Sequence, residues 1–178
     1  IEKTIYSVST DDTRYHLNGV FFEVVGEGKK SFLRMVATDG HRLSLVEKES
    51  PNPIKNLGMV TGVIIPRKGL MEIRKLLDGK AGDFELAVEG SQLIVRVGNC
   101  VLMVRLIEGK YPNYKQLIPQ SFSKHALVDR EILLSSLKRV SLMSNQKFMG
   151  ITLSLSPDKL EITSNNPELG DAKEEVDI

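Results

Sequence analysis

Residue types that carry most enzyme chemistry are scarce in this sequence. Its 178 residues include one cysteine, Cys100, and three histidines, His16, His41 and His125. A single cysteine excludes an internal disulfide framework and accords with a reducing compartment. So few thiols and imidazoles leave no spacing that resembles a zinc site, and neither a glycine-rich phosphate loop nor a nucleophile elbow occurs. No cofactor and no metal are expected. Charge of one sign is also lacking: 24 Lys and Arg stand against 23 Asp and Glu, a formal net charge of +1. No general attraction to a polyanion follows, so any binding to nucleic acid must come from where the basic residues sit. No apolar run approaches membrane-spanning length, and no signal-peptide pattern opens the chain. The chain starts at Ile1 without a Met and stops in Glu175-Val176-Asp177-Ile178, which reads as an unfinished strand, so the sequence reads as a fragment of a longer protein.

The length is ample for a buried core. Ile1, Ile5 and Val8 recur at helical spacing and predict an opening amphipathic helix, followed by a polar link over 10–16. A strand is expected over 17–25, a loop over 26–30, and then two apolar runs, 33–37 and 43–46, joined by Thr38-Asp39-Gly40-His41-Arg42-Leu43. Asp-Gly is a strong turn signal, because Gly tolerates positive φ and Asp bonds its own backbone, so these six residues read as a hairpin turn. A loop over 50–53 and a strand over 60–65 lead to Pro66, placed as the first residue of a helix that ends near Gly79. Leu70, Ile73, Leu76 and Leu77 lie on one side of that helix, with Arg67, Lys68, Arg74 and Lys75 broadly on the other. Three short strands over 84–89, 93–97 and 101–107 form a meander, and 116–124 reads as the domain boundary. Asp129 then caps a helix with Leu133, Leu134, Leu137 and Val140 on one face and Lys138 and Arg139 off it, ahead of strands holding Leu153 and Ile162. Helix, link and strand pair thus occur twice, at a period near a domain's length, which implies a duplicated domain.

Asp39 and His41 offer the materials of a hydrolytic pair, although alternate residues on a strand point to opposite faces, which works against it. Basic faces on two helices offer another function: a duplex held through its phosphates without base reading. With a total charge near zero such binding is weak and salt-sensitive, so something besides electrostatics must retain the DNA.

Four motifs, Thr38-Asp39-Gly40-His41-Arg42-Leu43, Ile65-Pro66-Arg67-Lys68-Gly69, Glu108-Gly109-Lys110-Tyr111-Pro112-Asn113-Tyr114 and Ser144-Asn145-Gln146-Lys147-Phe148, closely resemble the bacterial DNA polymerase III beta subunit family, the sliding clamps. The resemblance implies an α+β DNA-clamp fold, with antiparallel sheets outside and helices lining the inner face of a ring, residues 1–120 being a middle domain and 121–178 the first part of the third. It implies a non-catalytic ring of two subunits that encircles double-stranded DNA irrespective of sequence. Partners would be the replicative polymerase's catalytic subunit, the clamp loader and other clamp-motif proteins of replication and repair, in the bacterial cytoplasm at the nucleoid and not at a membrane. Arg14, Tyr15, His16, Arg67, Lys68, Arg74, Lys75, Lys138 and Arg139, with Lys3 behind them, would face DNA. A partner-peptide pocket between the middle and third domains would be walled by Leu17, Thr38, Gly40, His41, Arg42, Leu43, Pro112, Gln116, Leu117 and Phe148. The alternatives are a stand-alone peptide-binding module and a hydrolase using Asp39 and His41.

Overall fold

The computed structural model describes residues 1–27, 30–50, 54, 57, 61–79, 82–144 and 150–178. Parts of the loops expected over 26–30 and 50–53, the head of the strand expected over 60–65, and 145–149 with the candidate Phe148 lie outside the described residues. The chain divides into two compact units, Ile1–Tyr114 and Lys115–Ile178. The link expected over 116–124 falls at the start of the second.

In the first unit β1 (Gly19–Glu27), β2 (Lys30–Thr38), β3 (Leu43–Glu49) and β4 (Val63–Pro66) form an antiparallel sheet in the order β3-β2-β1-β4. Phe21 lies opposite Val36 and Glu23 opposite Arg34, while Thr38 pairs with Leu43 at the end of the β2–β3 ladder. Neighbours on a strand point to opposite faces, so complete burial of both Val36 and Ala37 means that both faces of β2 are covered there. One core contains Val20, Ala37, Ile65 and Leu70; the other contains Leu17, Val36, Ile64, Tyr111 and Tyr114.

Helix α1 (Arg67–Leu77) leaves β4 directly. Its Leu70 and Ile73 are buried, with Leu76 and Leu77 packed beside them, the one-sided apolar stripe expected of a helix lying on a sheet. The second sheet of this unit is the meander β5 (Glu85–Glu89), β6 (Gln92–Val97) and β7 (Cys100–Arg105). A methyl group at Gly69 would stand 2.3 Å from a Val104 methyl carbon, so α1 approaches β7 more closely than any side chain at 69 permits. Beyond β7 the chain touches the first sheet through a bridge of Ile107 to Ile64.

In the second unit Asp129 caps α2 (Arg130–Ser141), its Oδ1 accepting from the Glu131 and Ile132 amides at 2.9 Å each. The sheet β10-β9-β8 comprises β8 (Thr152–Ser156), β9 (Lys159–Asn166) and β10 (Gly170–Asp177). Leu160, Ile162 and Val176 pack on Val140, while the opposite face carries Lys159–Glu175 and Lys173–Glu161 ion pairs at 2.8 and 2.5 Å.

Four expectations are corrected. The opening helix is a single turn with 3-10 geometry at Ile5–Ser7. Thr4 Oγ1 donates to the Ile1 carbonyl, Val8 turns extended, and the Ser9 amide bonds the Leu17 carbonyl, so one turn forms and does not propagate. The apolar face is nonetheless real, since Val8 is buried and Ile1 and Ile5 pack against the core. The link at 10–16 is partly ordered: Asp12–Leu17 makes 3-10 turns behind the cap residue Asp11. Pro66 ends β4 opposite Gly19 and caps α1 instead of entering it, its φ of −61° suiting either position. On α2 Leu134 is exposed and Ser136 takes the buried position.

Candidate functional site

The turn 38–43 is fixed by its own side chains. Asp39 Oδ1 accepts from the amides of His41 and Arg42 at 2.9 and 3.0 Å, and its Oδ2 accepts from Arg42 Nε at 3.1 Å. Burial pushes the Asp39 carboxyl up, but those two amides and the guanidinium outweigh it and hold the group below the ordinary carboxylate range. Thr38 Oγ1 donates to the Arg42 carbonyl at 2.7 Å and accepts from the Gly40 amide at 3.1 Å. Gly40 sits at φ +91°, a conformation that L side chains rarely adopt.

Two guanidiniums tie the turn to distant chain. Arg14 donates to the Asp39 carbonyl at 2.9 Å while paired with Asp11, and Arg42 donates to the Tyr6 carbonyl at 2.7 Å with its charge 5.8 Å from the Tyr6 ring. Beneath the turn, Leu17 and half-buried Leu43 join the core of Val36, Ile64 and Tyr111. The first unit thus brings Leu17, Thr38, Gly40, Arg42 and Leu43 together, with exposed His41 on the turn and half-buried Pro112 next to Tyr111 in sequence. Gln116 and Leu117 belong to the second unit and are exposed there.

Sequence reasoning passed over the residues that hold this wall from behind. Tyr111 stacks on Phe21, centroids 5.0 Å apart and planes at 11°, and its hydroxyl accepts from the Thr38 amide at 3.1 Å. The Tyr114 hydroxyl donates to Glu23 and accepts from Arg34 at 2.9 Å, and Arg34 also reaches Glu47 at 2.6 Å. A readable signal existed: a lone Arg34 inside the apolar run Leu33-Arg34-Met35-Val36 needs buried partners.

The cations assigned to DNA differ in their surroundings. All four of Arg67, Lys68, Arg74 and Lys75 are exposed on α1, but Arg74 pairs with Glu2 at 2.6 Å and Lys75 with Glu72 at 3.0 Å. Among the described residues Arg67, Lys68 and Lys138 make no ion pair. Arg139 forms a two-pronged pair with Glu174, one prong at 2.6 Å, and that guanidinium, with Ser136, pulls the Glu174 carboxyl down to about 2. Exposed Tyr15 meets His16 edge to face, 5.7 Å between centroids.

Asp39 and His41 do not form the hydrolytic pair. Both Asp39 oxygens already serve the turn, and His41 meets Asp39 through its amide, not its ring. No cluster of three metal-ligating side chains occurs among the described residues, and no described helix is long and apolar enough to cross a membrane. Two open hollows, of about 580 Å³ over β8–β10 and about 330 Å³ beside the Ile64–Ile107 bridge, include none of the candidate residues.

The family model for the DNA polymerase III beta subunit central domain matches residues 1–113, and that for its C-terminal domain matches 115–178. The beta sliding clamps of Salmonella typhimurium and Escherichia coli K12 are each 36% identical over all 178 residues. Those 178 residues cover 46% of either relative, so the chain spans about half the length of the relatives it matches. Among solved structures, the Bartonella birtlesii DnaN sliding clamp bound to griselimycin superposes with a TM-score of 0.89 at 34% identity, over 99% of this chain and 46% of that one. The Caulobacter crescentus clamp gives 0.89 at 35%, over 99% and 47%. The antiparallel sheets and packed helices described above are therefore the sliding-clamp fold, and the chain belongs to the DNA polymerase III beta subunit family.

Proposed function

We propose that this chain is the central domain, assigned to 1–120, and the first part of the C-terminal domain, 121–178, of a sliding clamp that encircles duplex DNA and tethers the replicative polymerase for processive synthesis. The clamp is non-catalytic, works in the bacterial cytoplasm as a ring of two subunits, and is also engaged by a clamp loader and other motif-bearing replication and repair proteins. The observation that carries this reading is the turn 38–43: an Asp-Gly corner locked by Asp39 and Thr38, with Leu17 and Leu43 beneath it and exposed His41 and Arg42 at its rim. A short peptide with apolar anchors suits such a wall, and fixing it in advance lowers the ordering cost of binding. By the family resemblance, Pro112, Gln116, Leu117 and Phe148 are candidates for the same peptide docking.

DNA is met by Arg14, Tyr15, His16, Arg67, Lys68, Arg74, Lys75, Lys138 and Arg139. Ring closure retains the duplex, so these contacts stay weak and mobile enough for sliding. The test uses the full-length protein loaded on nicked-circular and linear DNA: retention on the circle with rapid loss from the ends is expected. Equal loss from both overturns the ring. We further propose that griselimycin, the compound held by the Bartonella clamp, would seat on this wall, which makes it a separate probe: loss of binding in Arg42→Ala is expected, and binding without a ring would leave a stand-alone docking module.

A further inference from the structure

Resting on the peptide-wall reading above, we infer that Tyr111 is the positioning residue of that wall: its hydroxyl latches the Thr38 amide and keeps the turn 38–43 in its binding shape. The β1–β2 register ends with Phe21 opposite Val36, two residues before Thr38, so the last amide of β2 lies beyond the ladder with β1. At this end β1 continues only in its ladder with β4, with Gly19 opposite Pro66 and Val20 opposite Ile65. A buried amide without a ladder partner needs another acceptor, and the Tyr111 hydroxyl is the acceptor at 3.1 Å.

Thr38 is where three bonds meet. Its amide goes to Tyr111, its hydroxyl hydrogen to the Arg42 carbonyl, and its oxygen takes the Gly40 amide. Releasing the first bond frees the residue from which the other two hold the corner. Tyr111 is suited to the task because its ring cannot wander: it is 7% exposed and stacked on Phe21. Burial pushes its hydroxyl up to about 12, so it is a neutral phenol at every pH where replication runs. Its place in the chain matters as well. The Ile107–Ile64 bridge anchors the segment just before it and the Tyr114–Glu23–Arg34 network the segment just after, so the hydroxyl is held from both sides. The motif Glu108 to Tyr114 thereby acquires a role apart from carrying Pro112.

The test is Tyr111→Phe in the full-length protein, which keeps the stack and removes the latch. Labelled griselimycin should bind about three- to tenfold more weakly, because a wall that is only part of the time in shape lowers apparent affinity by that fraction. Amide exchange at Thr38 and Gly40 should quicken in the same variant. Val95→Ala, a core truncation in β6, supplies the control: it destabilises the unit and should leave affinity within about twofold. Wild-type affinity in Tyr111→Phe, or equal weakening in Val95→Ala, overturns the inference and leaves the wall intact. Absence of griselimycin binding in the wild type overturns the wall and the latch together. Without any variant, a Thr38 amide that exchanges as fast as an unprotected one also overturns the latch.

Discussion

The two units contain the same three-strand meander, and the turns joining its second and third strands are built alike at the first step. In β2–β3 Asp39 accepts from the amide two residues on, at 2.9 Å; in β9–β10 Asn166 does the same to Glu168, at 3.0 Å. What differs is everything long-range. The first turn is held by Arg14, by Arg42 bonded back to Tyr6, and by Tyr111 bonded to Thr38. The second has a 3.4 Å contact from Asn166 to the Ser144 carbonyl, with Leu169 59% exposed. Local turn chemistry is thus enough to reverse a strand. Distant chain is what holds the first turn in place from outside its own residues.

Asp39→Ala should produce the largest change, because it removes three charge-assisted bonds at once: about 2–3 kcal/mol of local stability, read by amide exchange at Gly40 to Arg42, and griselimycin affinity down more than about tenfold. Asn166→Ala removes one neutral turn bond and the long contact to the Ser144 carbonyl, and should cost about 1 kcal/mol, read by exchange in β9 and β10, with griselimycin binding unchanged. Equal effects from the two would erase the contrast. Ser7→Ala should be neutral or stabilise the first unit by up to about 1 kcal/mol, seen as a small rise in denaturation midpoint, since the Ser7 hydroxyl is fully buried without a partner among the described residues. The slightest effect belongs to Glu174. Its carboxyl titrates near 2 instead of the usual 4.5, so the Arg139 pair contributes stability above about pH 4.5 that is lost as pH falls through 2. Arg139→Gln should weaken that acid dependence and raise the Glu174 titration, the Ser136 hydroxyl still holding it below the ordinary range, measurable by NMR.

Much of this was legible in the chain. Period-2 alternation and Gly-bearing turns located β2, β3 and the β5–β7 meander, and Leu70, Ile73 and the basic residues opposite them oriented α1. The opening segment departs from its helical pattern because Ile1, Ile5 and Val8 carry that period over too few residues to propagate a helix. At the candidate site the turn itself could be read, since Asp-Gly names its own geometry. Arg14, Tyr111 and Tyr114 could not be assigned to it, because their partners lie 25, 73 and 91 residues away and no local pattern encodes such a pairing. Likewise, the ion pairs that divide Arg139 from Lys138 depend on a strand that begins more than a full helix length further on.

At Gly69 there is no room for a side chain between α1 and Val104. A helix seated main chain against side chain cannot roll about its axis without steric collision, and it cannot settle deeper. The azimuth of Arg67 and Lys68 is consequently dictated by the backbone, and only the flexible ends of those side chains can adapt. The charges on α1 can give way individually while the helix beneath them stays still.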